Sequence, residues 1–107
     1  MPRYLWQISY TANGAKGLLA EGGTSRRKAI TDMVESVGGQ VEVCYYAFGG
    51  TDLFVIGEVP DEVAAASLSL RTAAAGAAHS TTVVLLTPEQ LDEATGREAS
   101  YRPPGAG

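Results

Sequence analysis

His79 is the one histidine among 107 residues, and imidazole is the side chain that ordinarily changes charge near neutral pH. It is the first candidate for a general base, placed where a helix is expected to give way to the last strand. A single histidine can also act as an axial haem ligand. The plainer alternative is a solvent-facing histidine at a strand edge. Zinc needs three or four converging ligands, and no metal site is expected from one histidine and one cysteine.

Tyr10, Lys16, Arg26 and Arg27 form a second group near the end of the first strand. Tyr10 is a proton carrier in the enzymatic reading, with Arg26 or Lys16 holding a developing anionic oxygen. Arg26 falls on the apolar side of a helix near its start, where positive charge is slightly unfavourable. An ion pair with Asp52 or Glu58 is its structural alternative. The helix amides after Thr24, preceded by Gly22-Gly23, add an anion site, without the spacing of a P-loop. Asp52 either satisfies turn amides or sets a carboxylate at a pocket rim. Trp6, Tyr45, Tyr46 and Phe54 read first as core or interface, and as lining if a planar ligand is bound. Cys44 reads as a buried, inert thiol in mid-strand, and a lone cysteine excludes an internal disulfide.

The scaffold is organised around VEVCYYAFGGTDLFVIGEVP, residues 41–60, which reads as two strands joined at Gly49-Gly50. A loop of those two residues alone would set Phe48 opposite Thr51, Tyr46 opposite Leu53 and Tyr45 opposite Phe54. A longer loop reaching Asp52 is the rival. Val41, Val43, Tyr45 and Ala47 share one face; Cys44, Tyr46 and Phe48 share the other. Both faces are apolar, so two covers are needed: the chain's own helices and, most simply, another subunit.

Residues 3–11 alternate as a first strand, with Tyr4, Trp6, Ile8 and Tyr10 on one face. Asn13-Gly14 reads as a break, followed by one or two helical turns over 15–20. Thr24 is the expected cap of a helix over 25–37. Asp61 caps a second, over about 61–76, whose lining face is read as Val63, Ser67, Leu70 and Ala74. Residues 79–87 make a fourth strand. Thr87-Pro88-Glu89-Gln90 opens a short helix to residue 95. The expected fold is α+β: a ferredoxin-like split βαβ, four antiparallel strands with the first and third central, and two main helices on one face. Residues 1–94 form one domain and 95–107 a loose tail.

The formal charge of −4 and the lack of a basic stripe argue against nucleic-acid binding. No signal peptide and no apolar run of membrane-spanning length is visible, so the cytoplasm is the expected location.

The opening YLWQISYTANGAKGLL, the EGGTSRR step, the YYAFGGTDLFVIGEVPD hairpin and the late TTVVLLTPEQLD together resemble the GYD-domain family. That family is similar to the dimeric α+β barrel superfamily. Its naming Gly-Tyr-Asp stands here as Gly50-Thr51-Asp52. The resemblance implies a ferredoxin-like fold and a dimeric barrel assembled through the sheets. It implies no reaction, since superfamily relatives include cofactor-free monooxygenases, polyketide cyclases, isomerases and haem-handling proteins. The functional expectation is a cofactor-independent enzyme, an oxygenase, cyclase or isomerase, acting on a small planar or aromatic substrate. His79, Tyr10, Arg26, Lys16 and Asp52 are its site residues. The alternatives are a non-catalytic ligand-binding or assembly module and a haem protein using His79.

Overall fold

The structure, a computed structural model, describes residues 1–47 and 49–105. The described elements run β1 (Arg3–Tyr10), α1 (Ala12–Glu21), α2 (Gly23–Ser36), β2 (Gln40–Tyr46), β3 (Leu53–Glu58), α3 (Glu62–Ala75), β4 (Ala78–Leu85) and α4 (Pro88–Thr95). The strands form one antiparallel sheet in the order β2-β3-β1-β4. The first and third strands are central, as the split arrangement requires.

The expected hairpin register holds where it is described: Tyr46 faces Leu53, Tyr45 faces Phe54, Cys44 faces Val55 and Val43 faces Ile56. The ladder stops at Tyr46 and Leu53, so the connection is longer than two glycines and includes Asp52. The expected Phe48–Thr51 pair lies outside the described residues. A bulge between Val41 and Val43 moves Val41 off the face of Val43 and against the core. An extra residue in one strand inverts alternation beyond it, which pure two-residue periodicity does not anticipate.

The helix-covered face carries the core: Tyr4, Trp6, Leu53, Val55 and Val59 from the sheet segment, Val34 from α2, and Ala65 and Leu68 from α3. Full burial of such aliphatic side chains is worth about 1.5–3 kcal/mol each. The other face presents Leu5, Val43, Tyr45, Phe54, Ile56, Val83 and Leu85, which share rows across the sheet. Tyr45 is 70% exposed there. Arg3 bridges Glu42 at 2.7 Å and Glu58 at 3.2 Å on that face.

Two architectural expectations are corrected. The sheet is open, ending at β2 and β4, and does not close into a barrel. Four helices are present among the described residues rather than a two-helix layer. The extra full helix is α1. Asn13-Gly14 does not break the chain but lies inside it, because Thr11 caps α1 by accepting the Gly14 N–H at 3.2 Å. A Cβ at Gly14 would overlap the Ala77 carbonyl, so glycine here permits close approach rather than a turn. Gly22, at φ 84°, joins α1 to α2, and α2 begins at Gly23 with no side-chain cap. Thr24 is therefore inside the helix and not its cap.

In α3 the expected lining face is the solvent face: Val63 is 73% and Leu70 70% exposed, while Ala65 and Leu68 are buried. Small and hydroxyl residues on both sides of this helix blur its apolar stripe, and the sheet selects the narrower one. Asp61 does cap α3, accepting from the Ala64 N–H at 2.8 Å. α4 carries the expected capping box between Thr87 and Gln90, buries no residue, and leads into an exposed run over 96–105.

Candidate functional site

β1 ends at Tyr10 on the helix-covered face, beside the end of β2 at Tyr46. α1 and the first turn of α2 arch over both. The result is a cleft of about 420 Å³ lined by Tyr10, Ala15, Leu18, Gly23, Tyr46, Ala47 and Asp52. Its size lies in the range of small-molecule sites. A second recess of about 130 Å³ shares Tyr10 and Leu18 and reaches Glu21 and Arg26.

Backbone bonds at the sheet end hold Asp52 in place. The Asp52 N–H donates to the Ile8 carbonyl and the Ala47 N–H donates to the Asp52 carbonyl, each at 2.9 Å. Asp52 Oδ2 accepts the Tyr10 N–H at 2.8 Å. The carboxylate thus both satisfies a backbone donor and stands in the cleft wall.

Tyr46 was expected first as core or interface, and as ring lining if a planar ligand is bound, with no hydrogen-bonding role assigned to its hydroxyl. Its hydroxyl donates to the Gly23 carbonyl at 3.2 Å. Its ring lies on Gly23, where a Cβ would come within 3.1 Å of Cε2. Burial pushes the Tyr46 phenol up to about 12, helped by nearby Tyr10 and Cys44 and opposed by Arg26. The phenol is therefore a hydrogen-bond donor throughout the neutral range. The available signal was its alternation with Cys44 and Leu53 on the inner face; what was missing was the docking of α2 on that ring.

Of the expected site residues, the cleft gathers Tyr10 and Asp52, and the adjoining recess adds Arg26. Arg26 pairs with Glu21 at 3.8 Å rather than with Asp52 or Glu58; Glu58 is engaged by Arg3 and Gln40. Lys16 is exposed on α1 and lines neither space. His79 pairs with Ser9 across β1 and β4, exposed on the opposite sheet face, and lines neither space. Arg27 borders shallower hollows with Cys44. The Cys44 thiol is raised by burial, against the pull of Arg27. Among the described residues no group of three or more metal-ligating side chains converges, and no helix is long and apolar enough to cross a membrane.

These features define a small α+β protein with an open four-stranded sheet and a tyrosine-walled cleft at one end of it. The GYD domain family model matches residues 4–95, and the chain belongs to the GYD domain family. The membership stands without the barrel expected alongside it, because the sheet keeps two open edges. No curated protein and no solved structure matches the chain.

Proposed function

We propose that the cleft binds a small planar substrate and removes a proton from it without a cofactor. That step opens oxygenase, cyclase and isomerase chemistry alike. The carrying observation is that Tyr10, Tyr46 and Asp52 wall one cleft of about 420 Å³. The Tyr46 hydroxyl, held protonated by burial, would turn its one O–H from the Gly23 carbonyl to the substrate oxygen on which charge develops. Asp52 is the carboxylate within reach of a carbon acid seated between the rings, and Arg26, paired with Glu21, stands in the adjoining recess.

α-Tetralone in heavy water tests this reading, with exchange at the carbon next to the carbonyl followed by NMR. Asp52→Asn and Tyr46→Phe should each slow protein-dependent exchange about tenfold or more. Binding without exchange favours a non-catalytic ligand-binding module. Absence of binding overturns the cleft as a site for such ligands.

We also propose that a second copy covers the bare sheet face. Tyr45 at 70% and Phe54 at 36% exposure lie on that face beside half-buried Leu5, Val43, Ile56, Val83 and Leu85, a contiguous apolar surface of the kind that associates. Sedimentation of the wild-type chain as a monomer at high concentration would rule this out.

A further inference from the structure

β2 is an outer strand of the sheet, so one of its edges has no neighbouring strand. The Ala47 N–H donates to the Asp52 carbonyl across the hairpin at 2.9 Å, and the pairs from Tyr46–Leu53 back to Val43–Ile56 continue that register. In an antiparallel ladder, successive residues send their backbone groups to opposite sides. Val43 and Tyr45 therefore bond toward β3 as Ala47 does, while Cys44 and Tyr46 turn their N–H and C=O out of the sheet. Such an edge is commonly blunted by a lysine, a proline or a bulge. Here the bulge lies between Val41 and Val43 and spares the stretch from Val43 to Tyr46.

This free edge is walled by α2. A hollow of about 320 Å³ runs beside it, lined by residues 41–45 of β2 and by Arg27 and Thr31 of α2. A second, of about 220 Å³, shares Arg27 and Cys44 and reaches Gly23 and Thr24. Arg27 is exposed and enters no ion pair among the described residues. Its charge is felt at the Cys44 thiol. Glu42, the acid in the wall, is engaged by Arg3 at 2.7 Å. The first turn of α2 holds no acidic residue, and its N-terminus has no side-chain cap, which adds to the positive character of this end.

We propose that β2 accepts an extended acidic peptide of a partner protein as an added strand, with its carboxylate on Arg27. An antiparallel segment with an acid opposite Cys44 exchanges two backbone bonds with that residue. The acid then lies on the same sheet face as the Cys44 side chain, beside Arg27. The flanking residues fall opposite Val43 and Tyr45 on the other face, where β-branched side chains match them. Main-chain bonds supply the affinity and alternate side chains the selectivity. The second hollow shares Gly23 and Tyr46 with the tyrosine cleft, but nothing in this proposal depends on proton transfer there.

The full chain, labelled with nitrogen-15, is titrated with the peptide acetyl-Lys-Thr-Val-Glu-Val-Thr-Lys-amide. The Cys44 and Tyr46 amide cross-peaks should move downfield saturably, as N–H groups that gain an acceptor. N-methylation of the peptide's Glu, whose N–H faces β2, should weaken binding about tenfold. N-methylation of the Val that follows, whose N–H faces away, should change it by less than about twofold. Replacing the Glu by Gln should weaken binding about threefold, and Arg27→Gln should erase that difference. No saturable shift at millimolar peptide, equal losses from the two N-methylations, or a Glu preference that survives Arg27→Gln would overturn the proposal. Shifts confined to the outer sheet face would overturn it as well.

Discussion

The Asp52 carboxylate accepts the backbone N–H of Tyr10 at 2.8 Å, tying the last residue of β1 to the loop before β3. The aspartate of the Gly50-Thr51-Asp52 step is thus a brace for the sheet end as well as a wall of the cleft. Asp52→Ala leaves a half-buried donor without its acceptor and should cost about 1–3 kcal/mol. Asp52→Asn keeps a side-chain oxygen and should cost about half as much or less. Urea unfolding at an unchanged m-value checks both. Equal losses would show that the charge, not the bond, matters.

Gly14 and Gly17 share one helix and should respond oppositely to alanine. Gly14→Ala drives a methyl into the Ala77 carbonyl and should destabilise by about 1–3 kcal/mol or more. Gly17→Ala meets nothing within 4 Å and should stabilise by about 0.5–1 kcal/mol through helix propensity. Thermal melts of the two variants side by side test this.

The Tyr46 phenol should resist added alkali, because its folded value is about 12 against an ordinary value of about 10. The folded state holds a proton that the unfolded chain releases earlier. Stability from this group is therefore complete below about pH 10 and is lost as pH rises through about 12. Tyr46→Phe should flatten that part of the stability–pH curve, measured by denaturant midpoints from pH 9 to 11. An unchanged slope would place the effect elsewhere.

Because α4 buries no residue, its Thr87–Gln90 box supports that helix and little else. Thr87→Ala should weaken the helix by about 1 kcal/mol while leaving the global melting temperature almost unchanged. Hydrogen exchange should quicken over residues 88–95 and not in β1 or β3. A clear fall in melting temperature would mean that α4 is docked on something in solution.

On the uncovered sheet face, Phe54→Lys combined with Tyr45→Lys should abolish the proposed self-association, since charge is costly to bury without a partner. Sedimentation velocity across a concentration series reads the outcome. Association that persists unchanged would place the contact on another surface.

Much of this fold was legible in short stretches. Tyr4, Trp6, Ile8 and Tyr10 announced the inner face of β1, and the Tyr46–Leu53 register followed from the hairpin. The α4 box was readable in four residues. Other elements misled for physical reasons. Asn13-Gly14 carries a turn signature, yet Thr11 caps a helix straight through it. α3 has two plausible faces, Val63–Leu70 and Ala65–Leu68, and only the sheet beneath distinguishes them. In the candidate cleft, Tyr10, Asp52 and Arg26 were named from their chemistry and Tyr46 only as a lining ring, because its hydroxyl's role depends on a ring meeting a glycine on another element.

The sequence by itself determined what neighbours within a few residues decide: strand faces, the hairpin register, the caps at Asp61 and Thr87, and membership in the GYD family. Tertiary structure alone decided that Tyr10, Tyr46 and Asp52 share one cleft, that His79 points to the opposite face, and that the sheet stays open. Alternation and capping are local preferences. A cleft is a set of approaches between residues far apart in the chain, and those are chosen only when helices and sheet settle against one another.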